Sequence, residues 1–415
     1  MADPEVTSRS GLWHFHFPDE GILCTVSRLR QHTTHVSGEI VLTNNTDDPA
    51  RHLHQANLNF SSTAAKAALA KALSAQREDV NWNALLEQIR VRVLTDFRAG
   101  EPLVFVGDLP LLSRPQYRLE PLCPEGKISS LYGSGGDGKT QMAILSLLCV
   151  QLGRSVGSLK PLQGNVALLD YENDWETTNA TIVALRKGMG WPAPSPQGFV
   201  YRHCSQPLVD EIQEINEILT AHNVVFGVLD SVGMACVGED TSASFDNVAI
   251  RLLRAVRSTK ITWLLIDHRP HKEDKQFGSE YKRNEVRSQW SIRKTQEPDS
   301  SEMTVGLYHR KVNLGKLRKP FGLHFIYEGE LGDPNFSFAV SPTEIKKSPE
   351  LVEGLSKMAQ VKVALEHGAL SVDAIAEKAG LSPAYVGTTL SRGKAKGLFT
   401  QVSRGVWAIR GELPH

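Results

Sequence analysis

Hydrophobic and polar positions change their period along this chain, and the changes divide it into three stretches. In the first, Leu12, Trp13, His14, Phe15, His16 and Phe17 alternate as a half-buried strand does. The same pattern predicts strands over 22–29, 38–43 and 53–60, with the NNTDDP run at 44–49 as turn chemistry. Residues 62–75 are alanine-rich and read as a helix with Ser61 or Ser62 as N-cap. A second helix is expected over 83–98, where Leu85, Leu86, Ile89, Val93 and Leu94 recur near helical spacing. Residues 1–108 therefore read as a small α+β domain. A proline-rich linker over 102–124, including Pro110, Pro115, Pro121 and Pro124, follows it.

The second stretch, 109–340, alternates short apolar strands with helices. Strands are expected over 127–132, 165–170, 198–203, 224–230 and 261–267, and helices over 141–152, 175–187, 209–221 and 245–259. That order predicts an α/β fold with a parallel sheet and covering helices. Trp290 and Ile292 alternate with charge, and 303–313 and 321–327 should complete the sheet. The third stretch, 341–415, opens on a polar hinge over 341–353. Helices over 355–367, 372–378 and 382–396 follow, then a hairpin of 398–402 and 405–409. Ser382 and Pro383 are an N-cap and a first-turn proline.

Composition narrows the picture little. The 415 residues are 41% hydrophobic and 22% charged, with Lys+Arg and Asp+Glu equal at 46 each. An anionic partner must then be met by a local basic patch. The five cysteines are scattered without a C-x-x-C pair and read as reduced thiols. There is no basic-then-apolar leader and no apolar run near ~18 residues, so a soluble, cytoplasmic protein with no membrane partner is expected. His14, His16, His32, His35, His52 and His54 include two H-x-H pairs, but no cysteine or carboxylate is arranged to complete a zinc set.

Residues 133–140 carry the chemistry. They read GSGGDGKT and fit G-x-x-x-x-G-K-[ST], between an expected strand and an expected helix. Gly133, Ser134, Gly135, Gly136, Asp137 and Gly138 would turn backbone N–H groups inward as an anion nest, with Gln141 just beyond. Lys139 would reach the β- and γ-phosphates, and Thr140 would place its hydroxyl on Mg²⁺. The helix N-terminus adds its partial positive charge. ATP and Mg²⁺ are the expected cofactors. Tyr117 or Arg118, ahead of the first strand, are offered as contacts for the base.

In open α/β sheets ligands bind beyond the carboxyl ends of the strands. Glu172, Asp230 and His268 all fall at such ends. Asp230 closes an apolar strand and suits a Mg²⁺-orienting aspartate. Glu172 suits a general base for water attacking the γ-phosphate, with Asp170 and Asp174 as local rivals. His268 suits a group that hydrogen-bonds the γ-phosphate. Residues 268–320 hold thirteen Lys and Arg against seven Asp and Glu, which suggests phosphates of ATP, nucleic acid or both.

The stretches GSGGDGKT, LDYEND, VVFGVLDS, LLIDHRPHK, GSEYKRNEVRSQW and HRKVN resemble RecA-fold AAA-family ATPases, and among them the RepA-type hexameric helicases. The resemblance covers about 119–328. It implies that Glu172 is catalytic, that His268 is a sensor, and that 271–283 faces DNA. It also implies that Arg287, Arg310 or Lys311 reaches a neighbouring subunit's site. Lys311-Val312-Asn313 departs from the arginine that replicative relatives tend to carry two residues after lysine. The segment SVDAIAEKAGLSPAYVGTTLSRGKAKGLFTQVSRGVWAI resembles a winged helix-turn-helix domain, a module that binds DNA or docks proteins. There Tyr385, Thr388, Thr389 and Arg392 would face bases, and Lys394, Lys396 and Arg404 phosphates. The expectation is a ring-forming, hexameric homo-oligomer that hydrolyses ATP and acts on single- or double-stranded DNA as a replicative, plasmid- or phage-type helicase or translocase. The alternatives are an ATP-switched DNA-binding regulator and a recombinase-like filament.

Overall fold

The computed structural model describes residues 3–9, 11–45, 52–99, 105, 107, 116–236, 253, 254, 256, 257, 259–268, 285–313, 315–330 and 332–411. Most of the expected helix 245–259 and the expected DNA-facing loop 271–283 lie outside them. The chain forms two compact units.

The first unit comprises residues 1–114, 206–221 and 254–259. Its sheet has five antiparallel strands in chain order: β1 Glu5–Arg9, β2 Leu12–Phe17, β3 Ile22–Gln31, β4 Val36–Asn44 and β5 His52–Asn59. Alternation puts Trp13, Phe15 and Phe17 on one buried face with Ile22, Val26, Ile40 and Leu42. Helices α1 Thr63–Ser74 and α2 Trp82–Ala99 complete that core with Leu69, Leu73, Leu85, Ile89 and Val93. Ser62 caps α1, its Oγ accepting from Ala65 N at 3.2 Å. The helix Leu208–Ala221, which the sequence pattern places among the alternating elements, belongs to this unit. Its Asp210, Glu214 and Glu217 share one helix face. They meet Arg30, Arg28 and His14 of the sheet, the last two at 3.3 and 3.2 Å.

The second unit comprises residues 115–205, 222–253 and 260–415. The linker expected over 102–124 has already become structure at its end. Strands β6 Tyr117–Glu120 and β7 Cys123–Pro124 pair with each other, and Leu119, Leu122 and Cys123 are buried. The main sheet then contains β8 Ile128–Gly133, β10 Asn165–Asp170, β11 Phe199–His203, β12 Val224–Asp230 and β13 Thr262–His268. It continues through β14 Ser288–Thr295, β15 Glu302–Val312, β16 Phe321–Glu328 and β17 Ser337–Thr343. A two-residue strand, β9 Lys160–Pro161, pairs with β6. The order in the nine-stranded sheet is β11-β10-β12-β13-β8-β14-β15-β16-β17. It is parallel from β11 to β14 and antiparallel from β14 to β17.

Strand β8 lies at the centre and is buried along its length. Helix α3 Lys139–Leu152 packs into the core through Met142, Leu145 and Leu148. On β12, a side chain at Gly227 would collide with the Trp263 indole of β13, so glycine lets the two strands pack around that ring.

The expected hinge begins as strand. Residues 341–343 are the end of β17 and pair with β16. Beyond them the Tyr308 hydroxyl donates to Leu351 O, and Arg310 donates to Gly354 O at 2.9 Å. The last segment has helices Lys357–Leu365, Val372–Ala379 and Pro383–Ala395 with a three-stranded sheet of Leu370–Ser371, Val406–Ile409 and Phe399–Ser403. Ser356, Ser371 and Ser382 cap the three helices through their hydroxyls. Val361, Leu365, Ile375, Val386, Leu390 and Phe399 form its core. All five cysteines are buried and none forms a disulfide. Among the described residues no helix is long and apolar enough to cross a membrane.

Candidate active site

The loop 133–140 joins the end of β8 to the start of α3. Gly136 and Gly138 take φ of +77° and +81°, backbone that glycine adopts without the penalty a Cβ brings. The Asp137 carboxylate accepts from Ser134 N at 2.7 Å and braces the loop. Lys139 is buried and donates to Ser134 O at 2.7 Å and Gly133 O at 3.3 Å. Burial pulls the ammonium below its ordinary pKa, against the charges of Asp137, Asp230, Glu172 and Asp267. A phosphate chain would offer Lys139 stronger, charge-assisted partners than two carbonyls.

Three strand ends meet beside this loop. Asp170 on β10 and Asp230 on β12 are direct partners in the parallel ladder, and His268 on β13 pairs with Gly133 on β8. Thr140 Oγ1 donates to Asp230 Oδ2 at 3.0 Å, while Asp230 Oδ1 is buried with no hydrogen-bond partner. Burial first, then the nearby Glu172 charge, raises the Asp230 carboxyl to about 7. A buried carboxylate with an open oxygen beside a threonine hydroxyl is a donor set that fits Mg²⁺.

The acids at the end of β10 have separate tasks. Asp170 Oδ1 accepts from the N–H groups of Glu172 and Asn173, and its Oδ2 accepts from the Thr178 hydroxyl. Asp174 caps helix α4 Trp175–Met189, accepting from Thr177 N at 2.7 Å. The Glu172 carboxylate reaches across to His268, Oε1 to Nε2, at 3.0 Å. Burial would raise the Glu172 pKa. The His268 bond and the Lys139 charge oppose it, and the group ends below its ordinary value.

Residues 96–274 match the family of AAA domains. That match spans the loop 133–140 and the ends of β10, β12 and β13. Among solved structures, the chain is similar to a KaiC-like protein from the hyperthermophilic archaeon Pyrococcus horikoshii OT3, at 15% identity and a TM-score of 0.40, over 55% of this chain and 99% of that one. No curated protein matches the chain.

The loop and the strand ends bring Lys139, Thr140, Glu172, Asp230 and His268 together. They do not bring Arg287, Arg310 and Lys311 there. Gln289 pairs with both Ser130 and Lys311, so Arg287 and Lys311 lie toward the start of β8, away from the loop. Arg310 donates to Ser291 Oγ at 2.7 Å as well as to Gly354 O, and Lys311 donates to Val286 O at 3.0 Å. Arg118, offered as a base contact, is buried on Glu125 and the Leu162 and Gln163 carbonyls. Tyr117 lies under the Arg318 guanidinium.

Sequence reasoning passed over the groups that do flank the loop from the antiparallel side. A Cβ on Gly138 would stand 3.3 Å from Met303 Cε, and one on Gly136 would stand 4.0 Å from Lys294 Nζ. No motif marks Lys294 or Met303. Only the density of basic residues in 268–320 hinted at the first.

Proposed function

We propose that this chain hydrolyses ATP and couples turnover to DNA, as a ring-forming, hexameric motor of the helicase or translocase kind. The convergence of Lys139, Thr140, Asp230, Glu172 and His268 on adjacent strand ends carries the hydrolytic part. Lys139 turns from the loop carbonyls to the β- and γ-phosphates. Glu172, ionised and off the Thr140–Asp230 pair, takes the proton of the attacking water. His268 holds its carboxylate in place. Thr140 and Asp230 would hold Mg²⁺, which would offset charge on the phosphate oxygens.

The DNA part rests on the last segment. Its helices and strands follow the order of a winged helix. From Lys378 to Gly411 it carries Lys378, Arg392, Lys394, Lys396, Arg404 and Arg410 and no acid. Tyr385, Thr388, Arg392, Lys394, Lys396 and Arg404 are exposed. Thr389, grouped with them from sequence, is buried and donates to Tyr385 O at 2.9 Å, so its hydroxyl is not offered to bases.

The test is ATPase turnover with and without single-stranded and duplex DNA, together with strand separation. A motor is stimulated several-fold by DNA; an unstimulated ATPase that separates no strands excludes the helicase reading. Lys139→Ala abolishes turnover, and a variant that still hydrolyses ATP would discard the loop assignment. The intrachain bonds of Arg310 and Lys311 favour a second reading, an ATP-switched DNA-binding regulator. It predicts DNA affinity that changes with bound ATP and no movement along DNA.

A further inference from the structure

A cavity of about 450 Å³ opens beside the loop 133–140, lined by Gly136 and Gln141 at one end. Lys294, Met303, Tyr327 and Phe336, from the strands on the antiparallel side of the sheet and the turn before β17, line it further, and Asp299 and Glu330 are among the polar residues on its rim. Gln141 follows Thr140 directly, so the cavity starts where a phosphate chain cradled by the loop would end. Met303, Tyr327 and Phe336 form one apolar patch in it. The Tyr327 and Phe336 rings are nearly parallel, 9° apart with centroids at 6.4 Å, and the Tyr327 hydroxyl lies 3.8 Å from the Met303 sulfur. Lys294 reaches Gln296 Oε1 at 3.4 Å, and among the described residues it forms no ion pair.

We infer that this cavity seats the nucleoside of the bound triphosphate, with the base against Met303, Tyr327 and Phe336. Lys294 faces the phosphates where they leave the loop. The inference rests on the ATP reading above and deepens it. It places the base on β15, β16 and the turn after them, far in sequence from Tyr117 and Arg118. Aromatic and thioether surfaces accept a base's π-face, and a lysine without an acidic partner keeps its charge for a phosphate. It also makes Lys294 a cation supplied by the same chain, distinct from any residue reaching in from a neighbour.

Calorimetric titration of the full chain with Mg–ATP and with Mg–tripolyphosphate tests this, because tripolyphosphate has no nucleoside. The wild type is expected to bind ATP at least about tenfold more tightly than tripolyphosphate. Ser301 is exposed and lines the cavity, so Ser301→Trp fills it without touching the core. That variant should lose the preference for ATP and keep its tripolyphosphate affinity. Phe336→Ala is a second variant and should lower the ATP affinity alone. Lys294→Gln should weaken both ligands by about threefold or more, and unchanged affinity for both would remove Lys294 from the seat. Equal wild-type affinities, or variants that preserve the ATP preference, would overturn the seat and leave the phosphate site intact. Failure of the wild type to bind either ligand would overturn the phosphate site and the seat together.

Discussion

His268 Nε2 lies 3.0 Å from Glu172 Oε1, joining the ends of β13 and β10 across the end of β12 that carries Asp230. The bond has two consequences for Glu172 as the proposed general base. It fixes the carboxylate, and it favours the ionised form against a burial that would disfavour it. Glu172→Gln should bind ATP and lose about 10²- to 10⁴-fold in kcat. His268→Ala should lose less at high pH, with a shifted profile. Without the histidine the Glu172 pKa rises, so the acid limb of kcat moves to higher pH. An acid limb that stays in place while kcat falls would show that His268 does not act through Glu172.

Asp230 gives the opposite sign. Its carboxyl is raised from 3.8 to about 7, because burial and the Glu172 charge both penalise the anion. The folded chain then holds a proton there that the unfolded chain releases near pH 4. Stability from this group falls as pH rises from about 4 to about 7, by roughly 1.4 kcal/mol for each pKa unit. Asp230→Asn should therefore raise the melting temperature of the nucleotide-free protein at pH 8 and leave it nearly unchanged at pH 4.5. Equal melting temperatures at pH 8 would show that the charge is already compensated. The same variant should lose Mg²⁺-dependent hydrolysis, since the amide cannot replace the carboxylate toward a divalent ion.

The parallel half of the sheet was legible because its strands are unbroken apolar runs that close on a polar residue. β10 and β12 run over 165–170 and 224–230 as read, and Asp170 and Asp230 end them. Two of the missed strands, β1 and β17, are sheet edges. β1 is the polar run EVTSR, and β17 carries Pro342, which an edge strand tolerates and a central one does not. The wall of Met303, Tyr327 and Phe336 was out of reach because antiparallel register, which local pattern leaves open, brings it together. Basic density in 268–320 told of cations but not of the strand end each would occupy. Lys294 faces the loop, and Arg310 stands at the far end of the neighbouring strand.

That separation makes a prediction about assembly. Arg310→Ala removes bonds to Ser291 and Gly354, so it should cost about 1–3 kcal/mol in stability whatever its catalytic role. The Arg287 guanidinium makes no hydrogen bond or ion pair among the described residues. Arg287→Ala should leave stability within about 0.5 kcal/mol. If the ring reading holds, Arg287→Ala subunits mixed with wild type should depress ATPase activity more steeply than their fraction, as loss of a cation acting in trans does. A linear decline with dilution would exclude that role for Arg287.

The cation-rich end of the chain supplies the last prediction. Arg392 lies on the helix 383–395, Arg404 at the turn between Phe399–Ser403 and Val406–Ile409, and both are exposed. Phosphate contacts release counterions, so each one adds to the salt dependence of binding. Arg404→Ala should weaken DNA binding alike for all sequences and lower the slope of log K against log salt by about one. If the helix 383–395 enters a groove as proposed, Arg392→Ala should weaken preferred sequences more than others. Thr389→Val should change neither, because its hydroxyl is buried on the Tyr385 carbonyl. Fluorescence anisotropy with labelled duplexes at several salt concentrations separates the three. Unchanged affinity and slope in both arginine variants would remove DNA from this segment and favour a protein partner in its place.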